Sequence, residues 1–145
     1  MTNGAATVVA FDAARVVFGE GASAETGEHA AQLGVTRAFV VCDRFVTESG
    51  LGERLERSLR EAGVEPVLYD RIAGEPNEES VREAAEAARD GFDGVVGVGG
   101  GSALDTAKLS ALFATHGGEL LDYVNAPIGT GLPIVALPTT AGTTR

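Results

Sequence analysis

A chain of 145 residues suits one domain and buries roughly two-thirds of the surface that its unfolded form exposes. A formal net charge of −10 speaks against nucleic acid and against an anionic membrane as partners, since both demand a basic footprint. The single cysteine, Cys42, rules out an intrachain disulfide framework, and no apolar run approaches the roughly 18 residues that span a bilayer.

The opening "MTNGAATVVAFD" has neither the basic region nor the long apolar core of a targeting segment, so a cytoplasmic location is expected. "ARVVFGEGA" predicts a first short strand at Arg15–Phe18, and "SAETGEHAAQLG" a modest helix closed by Gly34. "RAFVVCD" is a continuous apolar run, the pattern of a strand covered on both faces of a parallel sheet, and Cys42 within it reads as buried packing. In "ESGLGERLERSLREAG", Leu51, Leu55, Leu59 and Ala62 stack on one helical face, with Gly63 as the C-terminal stop. "EPVLYD" gives a third strand. "NEESVREAAEAARDG" gives a helix whose apolar stripe is Val81, Ala84, Ala85 and Ala88, ended by Gly91. "DGVVGVGG" is a fourth strand, "SALDTAKLSALFATHG" a helix with Leu104, Ala107, Ala111 and Leu112 inward, "GELLDYV" a short helix, and "LPIVALP" a last strand.

Strand and helix alternate throughout. That pattern indicates an α/β fold, a parallel sheet with helices on both faces joined by right-handed crossovers, in one domain over residues 1–145. Ligands of such sheets bind beyond the carboxyl ends of the strands. Asp43 ends the second predicted strand, "GEPN" follows the third, "GGGS" the fourth and "TTAGTT" the last, so four polar or glycine-rich segments are expected on one rim.

Gly99, Gly100 and Gly101 stand between a buried strand and a helix start, where bare backbone amides and the positive end of the helix dipole suit a phosphate or diphosphate. A tight turn without a ligand is the alternative. The spacing fits neither a P-loop nor the fingerprint of a first βα turn, because the glycines come late and the acidic candidate, Asp43, lies upstream. Asp43 could accept hydrogen bonds from both hydroxyls of an adenosine ribose and would repel a 2′-phosphate, or it could be a loop or helix-capping aspartate. Ser102 and Asp105 form an S-x-x-D capping box, and Asn77 is a good N-cap. Thr139 and Thr140 can bond phosphate or adenine, or merely close a turn. His29 and His116 lack companions at metal spacing, and His116 reads as a charge near a helix C-terminus. Lys108 is the only lysine among 11 basic residues, either by chance or because a compact ammonium is wanted there. The acidic excess and the preference for arginine fit a high-salt cytoplasm.

"GVGGGSALDTAK", followed some way on by "PTTAGT", resembles the iron-containing (group III) alcohol dehydrogenases, and the upstream "EPN" and Asp43 are in that family's order. The resemblance runs from "VFGEGA" to "TTAGT" and implies the NAD-binding, Rossmann-like half of an enzyme of the dehydroquinate synthase and iron-containing alcohol dehydrogenase type. It implies that Asp43 faces the adenosine ribose, that Gly99, Gly100, Gly101 and Ser102 hold the pyrophosphate, that Asn77, Thr139 and Thr140 line the nucleotide, and that Asp105 and Lys108 lie near the cofactor. "DYVNAPIG" resembles a segment of hydroxyacid–oxoacid transhydrogenases. The family's helical domain, whose aspartate and three histidines bind Fe2+ or Zn2+, has no counterpart in this sequence.

The resemblance therefore implies hydride transfer between an alcohol or hydroxyacid and NAD, with NADP the weaker cofactor, in the complete enzyme. No residue of this chain is expected to be catalytic or to bind metal, and the chain alone is expected to bind NAD weakly and turn over no alcohol. A second copy or a separately encoded helical domain would cover the face that the helical domain meets. A non-catalytic nucleotide-binding fragment or subunit, and a relative of glycerol-1-phosphate dehydrogenase or dehydroquinate synthase, are the alternatives.

Overall fold

The computed structural model describes residues 14–72, 74–116, 118, 122 and 129–141. After a 3-10 turn over Ala22–Glu25, the elements are α1 (Thr26–Gln32), β1 (Arg37–Asp43), α2 (Arg44–Glu48), α3 (Leu51–Glu61), β2 (Glu65–Ile72), α4 (Glu78–Ala88), β3 (Gly94–Gly99), α5 (Gly101–Thr115) and β4 (Ile134–Pro138). The four strands form one sheet in the order β2-β1-β3-β4, and every pair is parallel.

This order reverses the direction of winding. From β1 the chain crosses to β2 on one side, then returns past β1 to β3 and on to β4. Right-handed crossovers, the rule for parallel connections, then require helices on opposite faces before and after the reversal. The core agrees. Ala38, Val40 and Cys42 of β1 pack with Val46, Leu55 and Leu59 of α2 and α3, and with Ala30 of α1. The intervening Phe39 and Val41 pack on the other face with Ala84, Ala88, Ala107 and Ala111 of α4 and α5. The α/β arrangement with both faces covered is thus the one expected.

Most predicted elements stand where the pattern put them. Val81, Ala84, Ala85 and Ala88 are the buried stripe of α4, and Leu55 and Leu59 that of α3. The expected stops Gly34, Gly63 and Gly91 have φ of +82°, +80° and +73°. On α5, Ala107 and Ala111 face inward as expected; Ala103, Thr106, Ser110 and Phe113 are buried too, which the leucine-centred stripe missed.

Two expectations are corrected. Arg15–Phe18 is not a strand; no described strand pairs with it, and Val16 and Phe18 are 83% and 99% exposed. An apolar run becomes a strand only where a neighbour takes its amides. The helix expected from Glu48 onward is α3, which begins only at Leu51; a separate short helix, α2, precedes it and ends at Glu48, the two parted at Gly50 with φ +75°. The predicted helix in "GELLDYV" and most of "DYVNAPIG" lie outside the described residues.

At the amino edge of the sheet, Asp93 ties the approach to β3 onto the start of β1. Its carboxylate accepts from Thr36 N (2.9 Å), Arg37 N (2.8 Å) and the Thr36 hydroxyl. Arg37 closes the same corner, its guanidinium lying 4.5 Å over the Phe92 ring. Burial raises the Asp93 pKa, but the hydrogen bonds from Thr36 and Arg37 outweigh it and hold the carboxyl below its ordinary value.

Two measurements follow from this packing. Because the Asp93 pKa is depressed on folding, its contribution is complete above the unfolded value near about pH 4 and is lost as pH falls through the folded value. Asp93→Ala should lose about 2 kcal/mol of unfolding free energy at neutral pH, with the gap to the native chain narrowing in acid, in denaturant titrations. Cys42 is fully buried, and burial, followed by the charges of Asp70, Asp43 and Glu56, pushes its thiol up to about 12. It should resist iodoacetamide at pH near about 8 until the chain is unfolded, as read by mass spectrometry.

Candidate cofactor site

The winding reverses between β1 and β3, and the carboxyl ends of strands at such a switch point are where open α/β sheets take their ligands. Two of the sequence candidates end those two strands. β1 and β3 are paired up to Cys42↔Val98, so the next residues, Asp43 and Gly99, stand side by side. The ladder between β1 and β2 slips between Val41 and Asp43, an irregularity of the kind found beside functional sites.

Asp43 leaves β1 in an extended conformation and caps α2, its Oδ1 accepting from Val46 N at 3.0 Å. Its Oδ2 faces Gly99; a Cβ on that glycine would come within 2.8 Å of it. The capping and ligand-facing readings of Asp43 are therefore compatible, one oxygen for each.

The glycine turn leads directly into α5. Gly100 is the N-cap and contributes no side-chain hydrogen bond. The first helical amide with an internal acceptor is Leu104 N, which bonds to Gly100 O at 3.1 Å. The amides of Gly101, Ser102 and Ala103 precede it and have no acceptor within the helix. A Cβ on Gly101 would meet nothing within 4 Å, so this approach is open. β4 completes the cluster. Thr139 N donates to Gly99 O at 2.9 Å, and the Thr140 side chain lies 3.9 Å from the place of a Cβ on Gly100.

Asp43, Gly99, Gly100, Thr139 and Thr140 are thus brought together, with Gly101 and Ser102 at the adjoining helix start. The other candidates are occupied locally. Asn77 lies past the end of β2, and its side chain accepts from Ser80 N at 2.8 Å in a reciprocal cap of α4. Asp105 and Lys108 pair with each other at 3.3 Å on the exposed face of α5. Lys108 lies eight residues past Gly100, roughly 12 Å along the helix.

The S-x-x-D capping box is not formed, because α5 begins at Gly101 and Ser102 is already inside it. Sequence reasoning also passed over α2 and with it Phe45, whose ring is 65% exposed two residues after Asp43; the signal was an aromatic residue on a polar loop. His116 is the C-cap of α5, as its position suggested, with Nε2 3.1 Å from Thr130 O. Among the described residues no three His, Cys, Asp or Glu side chains come close enough to hold a metal ion, and no helix is long and apolar enough to cross a membrane.

The fold and the rim define an open, Rossmann-like α/β domain with a glycine turn and a helix start at its switch point. Comparison with known proteins makes the class specific. Residues 13–145 match the model of the family described as iron-containing alcohol dehydrogenase, and the chain belongs to that family. It is 37% identical over 130 residues to the NAD-dependent methanol dehydrogenase of Bacillus methanolicus, covering 88% of this chain and 34% of that protein. It is 39% identical over 151 residues to the mitochondrial hydroxyacid-oxoacid transhydrogenase of Xenopus tropicalis, covering 97% of this chain and 33% of the relative. The crystal structure of NADH-dependent butanol dehydrogenase A from Thermotoga maritima superposes with a TM-score of 0.86 at 28% identity, over 94% of this chain and 35% of that one. The chain spans about one third of the length of these relatives.

The N-cap role of Asp43 is separable from its charge. Asp43→Ala should lower stability by about 1 kcal/mol in denaturant unfolding, whereas Asp43→Asn, which keeps an acceptor for Val46 N, should lose less than half of that.

Proposed function

We propose that this chain is the NAD-binding part of a metal-dependent dehydrogenase that moves hydride between an alcohol or hydroxyacid and NAD. The observation that carries the reading is the pairing of β1 with β3, which sets a carboxylate beside a glycine turn at a free helix start. The methanol and butanol dehydrogenases among its relatives are NAD- and NADH-dependent by name.

In this reading the amides of Gly101, Ser102 and Ala103 hold the diphosphate, aided by the α5 dipole. Asp43 accepts from the ribose hydroxyls with the oxygen not used in capping, and its charge disfavours a 2′-phosphate, so NAD is preferred to NADP. Thr139 and Thr140 close the turn from the β4 side, and Phe45 offers apolar surface at the same rim. Asn77, Asp105 and Lys108 belong to the outer wall. Bound nicotinamide supplies the hydride acceptor; the chain supplies position and charge.

Among the described residues no group of side chains fits a metal ion. Iron or zinc, the substrate's reacting oxygen and the choice among alcohols belong to parts of the complete enzyme outside these residues. The transhydrogenase-like and simple dehydrogenase branches both remain as substrate classes, since the relatives of each match almost equally well. A non-catalytic nucleotide-binding subunit is the second reading, and it rests on the same rim geometry.

Calorimetric titration with NAD, NADP and ADP-ribose tests the site. Binding should follow the order NAD, then NADP, and Gly100→Asp should abolish it while leaving thermal unfolding unchanged, because a side chain at 100 meets only Thr140 at ordinary contact distance. Equal binding by Gly100→Asp and the native chain would refute the reading.

A further inference from the structure

Gly99 differs from the two glycines that follow it. Gly100 has φ −79°, open to any residue, and a Cβ on Gly101 would meet nothing within 4 Å. Gly99 has φ +143°, a region side chains rarely enter, and a Cβ there would lie 2.8 Å from Asp43 Oδ2 and 2.9 Å from Ala103 Cβ. Its carbonyl is spent on Thr139 N at 2.9 Å. Asp43 is meanwhile pinned from the other side, Oδ1 accepting from Val46 N at 3.0 Å. A carboxylate held by one oxygen, with the other against a bare α-carbon, has little room to swing.

We infer that Gly99 is a positioning residue for ribose recognition: the missing Cβ is the space in which the Asp43 carboxylate sits, so Gly99 sets the preference for a nucleotide with a free 2′-hydroxyl. Gly100 and Gly101 serve the phosphates, and Gly99 serves the carboxylate. The inference rests on the cofactor reading above and adds a residue that acts through Asp43 rather than on the ligand.

The test is a chemical-shift titration of the full chain with ADP and with 2′-deoxy-ADP, which differ by the one hydroxyl in question. The native chain should favour ADP about tenfold or more, the value of a hydrogen bond to a charged group. Gly99→Ala should bring that ratio to near one. In an Asp43→Ala background the ratio is already near one, and adding Gly99→Ala should leave it there. A purely structural role in the turn predicts something else: both nucleotides weaken together and the ratio survives, which would overturn the inference. Should Gly99→Ala fail to fold, Asp43→Glu leaves the glycine backbone untouched and drives an extra methylene into the same space. Loss of the ratio supports the inference, and an unchanged ratio overturns it. Equal binding of the two nucleotides by the native chain would remove the ribose role of Asp43, and this inference with it, while sparing the diphosphate site. No binding of either would overturn the cofactor reading as well.

Discussion

The pairing of β1 with β3 is the constraint on which the rest of the molecule depends. β3 is buried along its whole length, and its ladder with β1 runs from Ala38↔Gly94 to Cys42↔Val98. A slip of one residue would turn Val96 and Val98 from the α1–α3 face to the α4–α5 face and expel them from their core. Packing on both faces therefore fixes the register, and the register fixes which residues meet at the carboxyl rim. Asp43 stands beside Gly99 because Val40, Val41, Val95, Val96 and Val98, all buried, and their neighbours permit no other alignment.

The same corner holds an electrostatic tension. A carboxylate beside the turn proposed to hold phosphates is unfavourable unless something keeps the two charges apart and gives the carboxylate its own partners. Here the N-cap of α2 supplies an amide to one oxygen, and the bare α-carbon of Gly99 lets the other lie close without a clash. Polar groups arranged in this way can accept hydroxyl donors and hold phosphates a few ångströms away, which is the layout that the proposed dinucleotide requires. The opposite edge of the sheet is treated differently. Asp93 and Arg37 there are consumed by one another's backbone and ring neighbours, so that rim closes while the carboxyl rim stays open.

The family and the polar segments of the rim were legible in the sequence because they reside in short contiguous strings. "GVGGGSALDTAK" and "PTTAGT" carry their own geometry, glycines at a strand exit and hydroxyls after a buried strand, and buried parallel strands announce themselves as unbroken apolar runs. What failed to show was anything depending on a partner distant in sequence. Arg15–Phe18 has the composition of a strand and no described neighbour to pair with. Ser102 and Asp105 have the spacing of a capping box, yet the helix begins at Gly101 and leaves no cap for Ser102 to make. Lys108, conspicuous for its rarity, pairs with Asp105 one turn back on the exposed face of α5.

The sequence by itself determined the alternation of strands and helices, the glycine stops of the helices and the glycine turn between a buried strand and a helix, because each is a matter of local backbone preference and apolar period. Only the tertiary structure decided that the winding reverses at β1, that Asp43 divides its two oxygens between a helix cap and Gly99, and that Thr139 is bonded to that glycine's carbonyl. The meetings of Gly99 with Asp43 and with Thr139 join segments about 40 to 60 residues apart in the chain, set by how two faces of one sheet can be filled at once, and no window of sequence contains that information.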